Sequence, residues 1–217
     1  MKTNLGLVWY ARMALSEKWG YVWGTFGQVL TEQLFRQKIW QYPKEVGGYE
    51  NFIRNNWLNK KTVDCVGLIK SYLWYDDGII KYNFAQDKSA DMMFDLAKKR
   101  GTISTMPEIP GICLWKPGHI GIYIGDGQVI EAHGTKYGVI QTPIEGPGST
   151  DWTHWLKCPY ISYAYEHLKW EEVLKKIADD PEGWEVAINS LVAASDSGFV
   201  DSIYKYLPLL IEKAYNH

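Results

Sequence analysis

Between Gly111 and Ile140 the apolar residues alternate with a period close to two, and this alternation constrains the fold more than any other feature of the chain. The runs are Ile112-Cys113-Leu114-Trp115, His119 to Ile124, Gln128 to His133 and Gly138-Val139-Ile140, with Asp126-Gly127 between the second and third. Asp-Gly between alternating runs is a hairpin signal, so the segment predicts an antiparallel sheet. Upstream the period is helical. Leu5 to Lys18 reads as an amphipathic helix that stops at Gly20, before the aromatic turn Tyr21-Val22-Trp23-Gly24. Residues 25–60 read as an excursion of one or two helices, Asp64 to Tyr75 as a short helix with an accessible first turn, and 87–99 as another helix. Helices first and a sheet second define an α+β class. Residues 152–165 add an aromatic segment with an expected closing strand over 160–165.

Beyond Leu168 the pattern returns to helical stretches at 169–179, 184–194 and 199–215, broken by Asp180-Pro181 and Ser197-Gly198. We expect a first domain over 1–168 and a small C-terminal helical module over 169–217. Helices packed back on the first domain are an equal reading of the same pattern.

Composition removes several functions. With 23 Lys+Arg against 25 Asp+Glu in 217 residues, the chain has no surplus of positive charge for phosphates, so nucleic acid is not an expected partner. Cys65, Cys113 and Cys158 are too few and too widely spaced for a disulfide framework or a zinc knuckle, although a single bridge stays open, and no metal or other cofactor is expected. Arg12, Glu17 and Lys18 interrupt the stretch that a secretion signal would need, and no run approaches the ~20 apolar residues of a membrane span. The expectation is a soluble protein without a recognisable signal. The 11 Trp and 15 Tyr can fill a core or line a cleft for an extended substrate.

A lone cysteine that opens a helix, with a histidine on a strand well downstream, is an arrangement that chemistry can use. Unpaired N–H groups at a helix N-terminus favour thiolate over thiol, and the nucleophile's own N–H can help to hold an oxyanion. Taken alone, Cys65 reads more readily as a small buried hydrophobe than as a nucleophile.

Thr62-Val63-Asp64-Cys65-Val66-Gly67-Leu68-Ile69 resembles the Asp-Cys-Ser-Gly-Leu-Val signature of the papain-like, NlpC-type cell-wall cysteine peptidases. Gly118-His119-Ile120-Gly121-Ile122-Tyr123-Ile124-Gly125 is similar to that family's histidine strand, and Tyr21-Val22-Trp23-Gly24 to its upstream Tyr-x-Trp-Gly-Gly segment. The resemblance covers residues 5–165 and implies a papain-like fold with Cys65 as nucleophile, His119 as base and Tyr21 as an active-site hydroxyl. It also implies bacterial peptidoglycan as substrate, with cleavage in the stem peptide between D-glutamate and the diamino acid. A muramoyl-alanine amidase is the alternative within the enzyme class, and a non-catalytic wall-binding module is the alternative outside it. The missing signal beside a wall-lytic domain suggests a phage endolysin or tail-associated hydrolase. The oligomeric state is left open.

The departures matter as much as the matches. Val66 stands where the family usually has Ser, and residues 25–60 are an insertion, either a structural buttress or a wall of the cleft. The third catalytic group is expected at Glu131, with His133 as the alternative. If Gly125-Asp126-Gly127 forms a three-residue loop with Gly127 left-handed, His119 lies opposite His133 and diagonal to Glu131 on one face; a two-residue turn puts both candidates on the wrong face. Asp64 either caps the helix or contacts a substrate amine. His154 is the fallback third group, and Cys113 and Cys158 read as inert.

Overall fold

The computed structural model describes residues 2–163 apart from Asp77. The C-terminal helical module expected over 169–217 lies outside the described residues. The first helix, α1 (Asn4–Ser16), starts where Thr3 caps the N–H of Gly6, and buries Leu7, Tyr10, Ala11 and Ala14 at helical spacing. After β1 (Gly20–Tyr21) the insertion holds β2 (Phe26–Val29), α2 (Glu32–Gln41) and α3 (Glu50–Asn56), and β3 (Lys61–Val63) follows it. Its two ends close on each other, with Leu30 N–H donating to the Lys60 carbonyl and Asn59 N–H to the Leu30 carbonyl. Leu30, Phe35, Val46 and Ile53 from the insertion form a fully buried core together with Val22 of the preceding turn.

The central helix α4 (Cys65–Trp74) follows, then the small hairpin β4 (Tyr75–Asp76) and β5 (Ile79–Ile80), and α5 (Ala90–Leu96) capped by Ser89. The main sheet holds β6 (Arg100–Thr102), β7 (Cys113–Lys116), β8 (His119–Gly125), β9 (Gln128–Gly134), β10 (Gly138–Pro143) and β11 (His154–Leu156). Its six strands run in the order β10-β9-β8-β7-β11-β6, and every neighbouring pair is antiparallel. Helices α1 and α4 lie against β8 and β9. Ile112, Leu114, Tyr123, Val129 and Trp152 make a further core cluster at the sheet. The α+β class read from the sequence is the architecture observed.

Two details differ from expectation. Over 160–163, the described part of the segment expected as a closing strand, the chain makes only an isolated bridge, Thr3 to Ser162, and the sheet gains instead β11, between β7 and β6. The hairpin between β8 and β9 turns on two residues, Asp126 and Gly127, both left-handed at φ 53° and 66°. Between Tyr123 and Gly125, however, β8 carries one residue more than β9. This bulge restores the register that a three-residue loop would have given. Among the described residues no helix is long and apolar enough to cross a membrane.

Candidate active site

Asp64 precedes α4 and holds two parts of the chain together. Its Oδ1 accepts from the Gly67 N–H at 2.6 Å as the helix cap, and its Oδ2 accepts from the Gly24 N–H at 2.8 Å. The second bond ties the Tyr21–Gly24 segment to the start of α4. Gly67 is needed for the same approach, because a Cβ there would sit 2.1 Å from the Thr25 carbonyl oxygen. Burial raises the Asp64 carboxyl above its ordinary range, although Lys70 and the two backbone donors pull it down.

Cys65 opens α4 and is 6% exposed. The first turn is therefore largely buried rather than exposed, because β2, β3, β5, α1 and the main sheet all pack around this helix. The thiol donates to the Gly118 carbonyl at 3.9 Å, and the Ile120 N–H also faces the sulfur, so Sγ meets the backbone on either side of His119. Burial pushes the Cys65 thiol up to about 12, with the Asp64 charge acting in the same sense. The N–H groups of Val66, Ile120 and Cys65 itself pull the other way without overcoming it. The helix N-terminus thus acts as expected, but desolvation outweighs it, and the resting group is a thiol.

His119 begins β8. The observed register, Ile122 opposite Ile130, continues to place His119 across from His133 and diagonal to Glu131. The side chains follow: His119 Nε2 lies 2.6 Å from Glu131 Oε2, and His133 Nδ1 lies 3.1 Å from the same oxygen. The other oxygen, Oε1, accepts from the hydroxyls of Thr142 at 2.6 Å and Thr150 at 2.5 Å. Glu131 is fully buried. Burial alone would raise its pKa, but the hydrogen bonds from His119, Thr142, Thr150 and His133 together hold the carboxyl down at about 2. An ionised carboxylate is acceptor-only, so His119 must carry its proton on Nε2, and its basic lone pair lies on Nδ1. Trp152 stacks on the imidazole with centroids 5.4 Å apart and planes 12° from parallel, which fixes the ring's orientation.

The structure thus brings His119, Glu131 and His133 into one cluster through a single carboxylate. The two rings stand perpendicular with centroids 6.2 Å apart, so His133 reaches His119 only through Glu131. Donor atoms of the three lie within 4.8 Å of one another, a spacing at which two imidazoles and a carboxylate could hold a transition-metal ion. Hydrogen bonds to Glu131 account for the clustering without one. Tyr21 sits on β1 beside β3, buried, its pKa raised by burial and by the nearby Cys65 and Asp64. His154 lies apart on β11, against the rings of Phe94 and Trp115. Cys113 and Cys158 are buried free thiols, as Cys65 is.

Four participants escaped the sequence reading. Thr142 could have been found, since it faces Val129 on β10 and is diagonal to Glu131. Thr150 and Trp152 come from a loop without periodicity. Asp91, in the first turn of α5, accepts from the Gly118 N–H at 2.8 Å and from Trp115 Nε1 at 3.0 Å, and so positions the carbonyl that meets Cys65.

Cys65 opens into a cavity of 730 Å³. Gln37, Lys38, Gln41 and Tyr42, from α2 and its end, form part of its lining. The insertion is therefore both a buttress and a wall of the cleft.

No family model and no curated protein matches the chain. Among solved structures, the peptidoglycan hydrolase RipB from Mycobacterium tuberculosis is 19% identical with a TM-score of 0.37, over 74% of this chain and 67% of that one. The P60 domain of an antigen of M. avium subspecies paratuberculosis is 22% identical with a TM-score of 0.39, over 74% and 98%. NlpC2 from Trichomonas vaginalis is 18% identical with a TM-score of 0.40, over 72% and 47%. Similarities this distant leave the chemistry to this chain's own residues.

Proposed function

We propose that the chain is a papain-like, NlpC-type cysteine peptidase of bacterial peptidoglycan that cuts the stem peptide between D-glutamate and the diamino acid. The observation that carries this reading is the His119–Glu131 bond of 2.6 Å, which leaves Nδ1 as the basic nitrogen of a residue whose flanking backbone touches the Cys65 sulfur. In the proposed cycle the Cys65 thiol passes its proton to His119 Nδ1 as the sulfur attacks the amide carbonyl. The Cys65 N–H stabilises the oxyanion, and Glu131 stabilises the imidazolium. His119 then protonates the leaving amine, and water, deprotonated by His119, hydrolyses the thioester. Tyr21 contributes a hydroxyl at the edge of this centre, and the catalytic unit spans 1–168.

The test is mass spectrometry of fragments released from purified sacculi. Stem peptides ending at D-glutamate, with a new free amine on the diamino acid, are expected from the wild type and not from Cys65→Ala. Release of peptide from muramic acid would make the enzyme an amidase, and identical digests from both proteins would remove the peptidase reading.

A further inference from the structure

The cleft beside Cys65 carries three aspartates and three lysines, and their pairing is uneven. All three carboxylates are engaged. Asp64 accepts from the N–H groups of Gly24 and Gly67, and Asp91 from Gly118 and Trp115. Asp87 accepts from the Lys70 ammonium and the Tyr82 hydroxyl, both at 2.8 Å. Among the lysines, Lys70 alone has a carboxylate partner; Lys38 and Lys88 have none among the described residues. Lys38 is the more constrained of the two. It projects from the last turn of α2 and is only 8% exposed. Its ammonium, with three donors to satisfy, makes one hydrogen bond to a neutral acceptor, Gln41 Oε1 at 3.0 Å, and lies 5.6 Å from the Tyr42 ring centre. Asp64 and Asp87 act on Lys38 only beyond ion-pair distance, and burial outweighs them. A half-desolvated ammonium in a walled cavity, without a direct ion pair among the described residues, is costly unless a ligand supplies one.

We propose that this cleft selects an acidic peptide, with the Lys38 ammonium anchoring one of the peptide's carboxylates. The inference rests on the peptidase reading and adds the substrate's charge and the residue that senses it. It also gives the insertion a function: α2 brings the specificity group into the lining of the cavity that Cys65 shares, while Lys88, half-buried at the cleft, adds a second ammonium without an ion pair among the described residues. An ammonium–carboxylate bond made by ground state and transition state alike appears in KM rather than kcat.

The experiment compares two stem peptides of one sequence, one with free carboxylates and one with those groups converted to carboxamides, on the full chain and on Lys38→Met and Lys38→Arg. The wild type is expected to prefer the acidic peptide by about tenfold or more in kcat/KM, mostly through KM. Lys38→Met should collapse that preference to within about twofold, and Lys38→Arg should retain most of it. An equal wild-type rate on both peptides overturns the proposal. So does a Lys38→Met protein that keeps the preference, whatever happens to its thermal midpoint, since Lys38 would then serve only the end of α2. If the wild type cleaves neither peptide, calorimetric titration of both into the wild type and Lys38→Met decides. Discrimination lost in the variant upholds the anchor while the peptidase reading falls, and absence of binding overturns both.

Discussion

Glu131 Oε2 accepts from His119 Nε2 at 2.6 Å while two threonine hydroxyls hold the carboxylate's other oxygen, so the group that orients the imidazole is itself oriented from behind. His133 donates to the same Oε2 at 3.1 Å. This ranks the two candidates for the third position. Glu131→Gln keeps the size but loses the charge that stabilises an imidazolium, and kcat should fall by about 10²–10⁴ with little change in KM. His133→Ala removes one of four donors and should cost about tenfold or less. Steady-state kinetics on a soluble muropeptide check both; the reverse order would make His133 the catalytic partner.

The same carboxyl ties stability to pH. Held at about 2 in the fold against an ordinary 4.5, it contributes stabilisation that is complete above 4.5 and is lost as pH falls through about 2. That contribution is on the order of 3 kcal/mol. Urea unfolding at pH 7 and at pH 3 should show the wild type losing more of its stability on acidification than Glu131→Gln does. Equal losses in the two proteins would mean that the carboxyl titrates normally in the fold.

The start of α4 was legible because Asp64, a good cap, stands directly before an apolar run, and both facts are local. The β8–β9 hairpin was legible from Asp126-Gly127, but its register was reached by another route. Ile120, Ile122 and Ile124 alternate without interruption through the bulge, so nothing in the sequence announces the extra residue. The burial of Cys65 was hidden for a different reason. It depends on strands and a helix distant in sequence closing around α4, and an N-terminal position in a helix predicts polarity rather than solvent access. Thr150 and Trp152 belong to a loop and had no period to give them away, whereas Thr142 was readable once Glu131 had been placed.

Cys65 should behave as a buried thiol in the free protein. With its pKa pushed up to about 12, its alkylation by iodoacetamide should be slow at pH 6–7 and rise by about tenfold per pH unit between 7 and 9 without a plateau. It should still label before Cys113 and Cys158, since it lines the cleft while both of those are buried away from it. A rate plateau at or below pH 7 would reveal a resting thiolate–imidazolium pair instead.

The insertion's core offers the last test, because it separates the wall from the catalytic centre. Phe35 is fully buried among Val22, Leu30, Val46 and Ile53, on the same helix that carries Lys38 into the cleft. Phe35→Ala should cost about 3–5 kcal/mol through lost burial and the cavity left behind. The loss should first loosen α2, which carries Phe35 into this core, inside an insertion whose two ends are joined by the Leu30, Asn59 and Lys60 backbone bonds. Hydrogen exchange is therefore expected to accelerate in α2 and α3 while β8 and β9 stay protected. Activity should fall mainly through KM, since the His119–Glu131 pair lies on strands that the insertion core does not include. Uniform exchange across α2 and β8, with kcat and KM changing together, would mean that the insertion and the catalytic sheet unfold as one cooperative unit.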